Sequence, residues 1–253
     1  MSMMQLEGKV AIVTGGAKGI GKALVALLAR AGADVAIFDA DVEEARKTAG
    51  QTASPRRLVV SKVEPRVKAY AVEVTSRASV NAAVRQVIRD FGKIDILINN
   101  AGIWRGATLL KMSERAFSRV MAVNVKGPLL CVQAVAPHLI KQGSGKIVNI
   151  ASVAGLRGST PWGAYCASKA ALINMTQTFA QELAPHNVHC NAFLPGATRT
   201  PLLDQIVREQ PGSAFPHALP AEEVARQILE LVIPYEQERT GEAVAVRKSE
   251  DRS

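Results

Sequence analysis

A tyrosine and a lysine four residues apart are the residues of this sequence best suited to chemistry on an alcohol or a carbonyl. Tyr165 and Lys169 would share one face of a helix, where the ammonium favours the charged form of the phenol. A phenol tuned in this way can act as a general acid or base. Ser152, 13 residues before Tyr165, adds a hydroxyl that can hold a substrate oxygen and stabilise developing charge. Asn124 lies in the middle of the helical stretch that precedes Ser152.

A glycine-rich turn near the N-terminus is suited to binding a phosphate. It follows a predicted strand at residues 9–13 and opens a predicted helix at residues 19–31. The N–H groups and the positive dipole end of a helix N-terminus attract a pyrophosphate, and glycines permit a close backbone approach. The turn therefore predicts a dinucleotide site, with a merely tight strand–helix turn as the alternative. The candidate contacts are Gly15, Lys18, Gly19, Ile20 and Gly21.

The second predicted strand closes on an acidic residue that bears on the choice of nucleotide. Asp39 lies 18 residues after Gly21, where a carboxylate can accept hydrogen bonds from ribose hydroxyls. The same carboxylate would repel a 2′-phosphate. Lys18 favours the opposite choice, but no cation follows Asp39 directly, because residue 40 is alanine. We predict NAD as the cofactor, with NADP less favoured; a surface turn residue is the alternative for Asp39.

Strands and helices are predicted to alternate along the whole chain. Apolar runs bounded by turn residues predict strands, and apolar spacing with capping residues predicts helices. The predicted strands are residues 9–13, 34–38, 67–74, 94–98, 146–150, 188–194 and 243–246, and the helices are residues 19–31, 41–52, 76–91, 113–142, 164–183 and 220–233. This order predicts one α/β domain over residues 1–253, a doubly wound Rossmann-like parallel sheet of about seven strands with helices on both faces. Ligands are expected at the carboxyl ends of the strands, where the strand order reverses.

Composition narrows the class of protein. Apolar residues make up 48% of the 253 residues and the mean hydropathy is +0.09, which excludes a disordered chain. No signal peptide or uncharged apolar span of membrane length is predicted, so we expect a cytoplasmic protein with no membrane partner. The three cysteines show no metal-ligand spacing, and we expect no metal.

The net charge of +9 is concentrated in one segment. Residues 45–68 carry seven basic side chains against one acid, with few aromatics nearby. Nucleic-acid-binding proteins usually interleave basic and aromatic residues, so no nucleic-acid partner is predicted. We predict a solvated basic surface insertion at 45–68, with an anion or partner site as the alternative, and a disordered tail at 247–253.

At this point the sequence resembles the short-chain dehydrogenase/reductase family, from about residue 9 to residue 200 and more loosely to residue 233. The resemblance is carried by residues 14–21, Asn99-Asn100-Ala101-Gly102, Asn124, Ser152, Tyr165 with Lys169, and Pro195-Gly196. It implies that Tyr165 is the catalytic acid or base and that Ser152 orients the substrate. It further implies that Lys169 binds the nicotinamide ribose and that Asn124 holds a proton-relay water in a kinked helix.

The resemblance also implies cofactor contacts and assembly. The implied contacts beyond the glycine turn and Asp39 are Asn100, Ala101, Gly102, Tyr165, Lys169, Pro195, Gly196, Thr198 and Thr200. Where the family commonly has Asp-Val after the third strand, this chain has Glu73-Val74, which implies an adenine contact displaced by one methylene. Members of the family are usually dimers or tetramers through their two longest helices, here around residues 112–142 and 164–183.

Two tryptophans bear on the substrate. Trp104 follows the Asn-Asn-Ala-Gly turn and Trp162 precedes Tyr165 by three residues, so both are candidates for an apolar pocket, with ordinary packing as the alternative. No motif supplies a second cation beside Ser152. We therefore predict hydride transfer between NAD(H) and a neutral, apolar or cyclic secondary alcohol or ketone. The alternatives are an NADPH-dependent 3-oxoacyl-thioester reductase and a non-catalytic nucleotide-binding regulatory protein.

Overall fold

The strands form one parallel sheet in the order β3-β2-β1-β4-β5-β6-β9 in the computed structural model, which describes residues 5–53, 65–233 and 239–247. The strands are β1 Val10–Thr14, β2 Asp34–Asp39, β3 Val67–Ala71, β4 Ile96–Asn99, β5 Gly145–Ile150, β6 Val188–Leu194, β7 Thr198–Arg199, β8 Leu219–Pro220 and β9 Ala243–Ala245. The short β7 and β8 pair only with each other. The predicted doubly wound α/β fold is thereby confirmed.

Helices cover both faces of this sheet. They are α1 Gly19–Arg30, α2 Val42–Ala53, α3 Arg77–Phe91, α4 Glu114–Met121, α5 Gly127–Gln142, α6 Gly163–Leu183, α7 Pro201–Glu209 and α8 Ala221–Leu229. One buried apolar cluster joins the sheet to α3, α5 and α6, and a second joins it to α1, α2 and α8. The chain reverses between β1 and β4, which are direct neighbours in the sheet, so the expected crevice opens at the carboxyl ends of these two strands.

A π-helical turn interrupts the predicted helix at residues 113–142. Residues Ala122–Lys126 form this turn between α4 and α5, and the helix is otherwise continuous from Glu114 to Gln142. By length and composition alone this stretch could cross a membrane, a test that core helices also pass. Half of its most apolar window is buried in the protein, where Val135 and Leu139 belong to the core, and we assign it to the core.

The predicted basic insertion at 45–68 has narrower limits than the sequence suggested. Its first part is the regular helix α2, and its last residues enter β3. The basic residues that the structure describes here all have acidic partners. The pairs are Arg46 with Glu43, Lys47 with Glu44, Arg66 with Asp34 and Lys68 with Asp90. Arg56, Arg57 and Lys62 lie outside the described residues.

Two further expectations changed in the second half of the chain. Helix α7 was not predicted, although Thr200 caps it through a hydrogen bond from the Leu203 N–H and Pro201 occupies its first turn. The predicted tail at 247–253 begins one residue too early, because Gln227 on α8 holds both the N–H and the carbonyl of Arg247. The rest of that tail lies outside the described residues.

Candidate active site

The glycine turn after β1 packs so closely that side chains are excluded from it. A β-carbon added to Gly21 would lie 2.1 Å from the carbonyl oxygen of Gly15. Gly15 itself has a φ of +63°, and a β-carbon there would lie 2.8 Å from Cα of Ala101. The side chain of Asn100 ties the turn to the end of β4 by donating to the carbonyls of Thr14 and Gly15. The result is an open cradle at the N-terminus of α1, which fits a pyrophosphate.

Acidic groups surround the cation next to this cradle. The Lys18 ammonium binds the Asp41 carboxylate at 2.9 Å, a hydrogen bond that lowers the pKa of Asp41 and raises that of Lys18. Asp39 accepts hydrogen bonds from the backbone N–H groups of Ala17 and Asp41. Lys18 is therefore paired with a carboxylate, and both side chains are about half exposed.

Glu73 and Val74, the residues predicted to contact the adenine, make contacts with other parts of the protein. The Glu73 carboxylate accepts hydrogen bonds from the backbone N–H and hydroxyl of Thr75 and forms a salt bridge with Arg119 at 3.4 Å. Val74 is buried in the core and lies against Gly127. These contacts explain the conformation of the Glu-Val pair without a ligand.

Ser152, Tyr165 and Lys169 come together at the ends of β5 and α6. The Ser152 hydroxyl lies within hydrogen-bonding range of the Pro195 carbonyl, at 3.4 Å, accepts a hydrogen bond from the Ala154 N–H, and acts to lower the pKa of Tyr165. The Lys169 ammonium lies 5.6 Å from the centre of the Tyr165 ring and donates a 2.7 Å hydrogen bond to the carbonyl of Ile150. The i, i+4 spacing on α6 thus brings the two side chains onto one face, as predicted.

Burial has the largest effect on the pKa values of Tyr165 and Lys169. It raises the pKa of Tyr165 to about 12, against the opposing effect of the Ser152 hydrogen bond. It lowers the pKa of Lys169 to about 8. The raised value reflects the protein's own groups, so the prediction that Lys169 and the positive charge of an oxidised nicotinamide together bring the Tyr165 pKa toward neutrality stays a prediction.

Asn124 lies in the π-helical turn and is completely buried. Its side-chain oxygen accepts from the Ile103 N–H at 2.8 Å, and its nitrogen donates to the Ile103 carbonyl at 2.9 Å and to the Ser168 hydroxyl at 3.0 Å. Both N–H donors and one lone pair of the oxygen of this amide are thus used, and the contacts to Ile103 position the segment after β4.

A cavity of about 740 Å³ runs from the glycine cradle to the Ser152 and Tyr165 cluster. The predicted site residues that line it are Gly15, Lys18, Gly19, Ile20, Asn100, Ala101, Gly102, Ser152, Trp162, Tyr165, Lys169, Pro195, Gly196, Thr198 and Thr200. The predicted site residues outside this lining are Gly21, Asp39, Glu73, Val74, Trp104 and Asn124. The first group was chosen from the loops after β1, β4, β5 and β6 and from the start of α6, which the parallel sheet brings to one edge.

The aromatic residues form a layer behind and along the cavity. Trp162 contributes to the wall, with ring centres 5.9 Å from Tyr165 and 6.3 Å from Phe215. Trp104 was also predicted to contact substrate, but it is 0% exposed and stacks behind Trp162 at 5.7 Å. Trp104 therefore supports Trp162 from behind and is not part of the cavity wall.

Sequence reasoning missed a second group of cavity residues. Leu202, Leu203 and Ile206 project from α7, and the cap of this helix was the signal that could have located them. Arg157 lies in the loop between β5 and α6 and also lines the cavity. It belongs to no motif, so no local pattern identifies it, and it overturns the expectation that no second cation lies near Ser152.

A parallel sheet with a glycine cradle at its point of reversal and a Ser-Tyr-Lys cluster in the same cavity defines a nucleotide-dependent oxidoreductase. The chain belongs to the short-chain dehydrogenase family, whose model matches residues 9–211, and it is an oxidoreductase that binds NAD(P). The cradle fits such a dinucleotide because Gly15 and Gly19 line it with backbone alone at the N-terminus of α1.

Similarity to individual proteins extends over most of the chain. The 3-oxoacyl-[acyl-carrier-protein] reductase of Thermotoga maritima is 39% identical over 96% of this chain and 98% of its own. The sorbitol dehydrogenase of Cereibacter sphaeroides is 41% identical over 76% of this chain and 72% of its own. A solved 3-ketoacyl-(acyl-carrier-protein) reductase from Brucella melitensis, complexed with NADH, has a TM-score of 0.83 and 31% identity, covering 95% of this chain and 97% of that one.

Proposed function

We propose that this protein interconverts a secondary alcohol and its ketone with NAD(H), and that the reacting group carries an apolar, alicyclic or aromatic substituent. The observation that carries this proposal is the cluster of Ser152, Tyr165 and Lys169 in the wall of a cavity whose adjoining surface is apolar. Such a cluster can exchange a proton with an alcohol oxygen.

Each catalytic side chain has a distinct role in this proposal. Tyr165 donates the proton to the carbonyl oxygen on reduction and removes it on oxidation. Ser152 holds the same oxygen by a hydrogen bond. Lys169 binds the nicotinamide ribose, and Asn124 positions the segment at Ile103. When bound, the nicotinamide supplies or accepts the hydride, and its oxidised form adds a positive charge near Tyr165.

The acidic surroundings of Lys18 support NAD rather than NADP. Asp39 and Asp41 both lie at the end of β2, and Asp41 neutralises the cation that a 2′-phosphate would need. A 2′-phosphate there would meet two carboxylates. The NADH complex of the Brucella melitensis relative is consistent with this choice.

The substrate end of the cavity supports an apolar reacting group. Trp162, Phe215 and Ile206 pack together beside Tyr165, and among the described residues no carboxylate belongs to the cavity lining. Burying apolar area against such a wall contributes about 25 cal/mol per Å². Polyols gain little from this wall, although one relative is a sorbitol dehydrogenase.

The test is a panel of cyclic and aryl ketones, keto acids and polyols with NADH and NADPH, followed by nicotinamide absorbance. The proposal expects the highest kcat/KM with NADH and an alicyclic or aryl ketone. Comparable rates with NADPH, or faster turnover of a polyol, would contradict it. A protein that binds NADH but turns over no member of the panel would favour the non-catalytic alternative.

A second candidate function is 3-oxoacyl-thioester reduction, favoured by the match over nearly the whole chain to the Thermotoga maritima reductase. Asp39 and Asp41 do not argue against it, because the reductase from Brucella melitensis is complexed with NADH. A 3-oxobutanoyl thioester in the same panel separates the two functions. A kcat/KM above that of every cyclic ketone would establish the second candidate.

We also propose that the enzyme is a dimer or tetramer. Phe117 and Ile140, at the two ends of the 114–142 stretch, are exposed apolar side chains that suit a helix-to-helix contact. Light scattering coupled to gel filtration tests this, and a monomer at micromolar concentration would contradict it.

A further inference from the structure

Arg157 lines the cavity where a second cavity adjoins it. This second cavity of about 700 Å³ shares Leu156, Arg157, Ser159 and Cys166 with the first one. The second cavity is bordered by the loop before α6 and by residues 108–110, and no residue of the glycine turn lines it. Arg157 therefore stands on the substrate side, where the two cavities meet.

The charge of the cavity wall is uniformly positive. Its ionisable amino-acid side chains that carry charge are Lys18, Arg157 and Lys169, and its lining contains no aspartate or glutamate. Two of these cations are engaged: Lys18 binds Asp41, and Lys169 donates to the Ile150 carbonyl. Within the described residues the Arg157 guanidinium makes no hydrogen bond and no salt bridge, so its charge is available to a ligand.

The loop that carries Arg157 is fixed against the catalytic helix. A β-carbon on Gly155 would lie 2.8 Å from the carbonyl carbon of Lys169, so the loop backbone lies directly on α6. Backbone hydrogen bonds from Gly155 to Ser152 and from Leu156 to Val153 close the turn before Arg157. The base of the arginine is thus held five residues from Ser152, while its side chain is exposed at the cavity mouth.

We propose that Arg157 binds an anionic group at the distal end of the substrate, a carboxylate or a phosphate, while the apolar wall holds the part next to the reacting carbon. This proposal rests on the proposed function and changes its substrate from wholly neutral to amphiphilic. The planar guanidinium can donate two parallel hydrogen bonds to either anion. The distance between the anion and the carbonyl is then a determinant of specificity.

The experiment uses aryl methyl ketones that carry a para carboxylate on a tether of no, two or four methylene groups. Each acid is paired with its methyl ester, and a phosphate monoester series forms the second arm. The variants are R157Q, R157K and the matched control R85Q, which removes an exposed arginine from α3, a helix that contributes nothing to the cavity. Steady-state kinetics with NADH are measured at low and high salt.

For the best tether, R157Q should lower the acid-to-ester ratio of kcat/KM about tenfold or more, through KM rather than kcat. R157K should restore part of the ratio, and salt should lower the ratio in the unmutated enzyme but not in R157Q. The R85Q ratio should equal that of the unmutated enzyme. The arm with the larger ratio identifies the carboxylate or the phosphate as the preferred anion.

Equal losses on acid and ester, or no loss on any acid or phosphate, would overturn the proposal. A binding readout separates this failure from failure of the proposed function. Trp162 lies in the cavity wall and Trp104 packs behind it, so quenching of tryptophan fluorescence by 4-phenylbutanoate, which has no ketone to reduce, should be weaker in R157Q. Quenching that is lost in R157Q without turnover of any ketone would contradict the function while sustaining the anion site; equal quenching in both would contradict the site.

Discussion

Tyr165 and Lys169 share one face of α6, and burial moves their pKa values apart, raising that of the phenol and lowering that of the ammonium. The phenol becomes harder to ionise and the ammonium easier to neutralise, because each charged form loses its hydration. On the proposed function, Tyr165 carries the proton chemistry and Lys169 has a positioning role.

The first prediction is that Y165F abolishes turnover while NADH still binds. The variant removes the hydroxyl that exchanges the proton but leaves Lys169 and the glycine cradle intact. General acid–base catalysis typically contributes about 10²–10⁴-fold, so kcat should fall by that factor. NADH binding, measured by quenching of tryptophan fluorescence, should remain.

The matched control for that variant is Y70F. Tyr70 is a partly buried tyrosine on β3 whose hydroxyl donates to Asp90, away from the cavity. It should alter stability and leave kcat close to that of the unmutated enzyme. Retention of more than roughly a tenth of kcat in Y165F would remove Tyr165 from its assigned role.

The second prediction concerns Asp41, which was not among the residues chosen from the sequence. D41N should narrow the preference for NADH over NADPH by roughly three- to tenfold, because it releases the Lys18 ammonium for a 2′-phosphate. Asparagine can still accept the hydrogen bond from the Glu44 N–H that starts α2, so the helix should persist. The measurement is kcat/KM for both cofactors.

E43Q is the control for the cofactor experiment. Glu43 is a neighbouring exposed carboxylate on α2 that pairs with Arg46 and does not touch Lys18. If E43Q changed the cofactor ratio as much as D41N, a general surface potential and not the Lys18–Asp41 pair would be responsible.

At the level of elements, sequence patterns predict the helices and strands whose limits depend on residues close together in the chain. Strand β6 was predicted with its observed limits because an apolar run ends at Pro195-Gly196, and α6 was predicted to within one residue. Asn124 was placed in a helix, but the π-helical turn around it has no periodicity signal. Arg157 and the buried position of Trp104 depend on how separate loops pack together, and no spacing within the sequence encodes that.

The third prediction tests the π-helical turn as a positioning element. N124A leaves the N–H and carbonyl of Ile103 without their partners in a buried place, which costs about 1–3 kcal/mol for each group. The expected result is a fall in Tm of roughly 5–15 °C together with a loss of kcat. Thermal unfolding and steady-state kinetics check both effects.

S168A is the control for this element. Ser168 accepts one hydrogen bond from Asn124 but makes no contact with Ile103. It should lower Tm by clearly less than N124A. A drop in S168A equal to that of N124A would mean that the helix-to-helix bond, and not the support of the segment after β4, is the important contact.

At the scale of the whole molecule, the sheet brings together several sequence motifs. Each motif is weakly specific by itself, and together they form one specific site. The glycine turn, the Asn-Asn-Ala-Gly turn and the Ser152 loop follow β1, β4 and β5, which are adjacent in the sheet. Parallel strands bring their carboxyl ends to one edge, so loops far apart in sequence meet there. This site includes the buried Lys169, and burying its charge lowers the stability of the fold.

The last prediction measures that cost through pH. Lys169 releases its proton near pH 8 in the folded protein, against an ordinary pKa of 10.5. Between these values the unfolded chain binds more protons, so rising pH favours the folded state. Relative to K169M, the unmutated protein should gain roughly 2–3 kcal/mol of unfolding free energy from about pH 7 to about pH 10. Urea unfolding at each pH gives this difference. K111M, which removes an exposed lysine, should give a difference that does not vary with pH; a flat difference for K169M as well would mean that burial does not lower the Lys169 pKa.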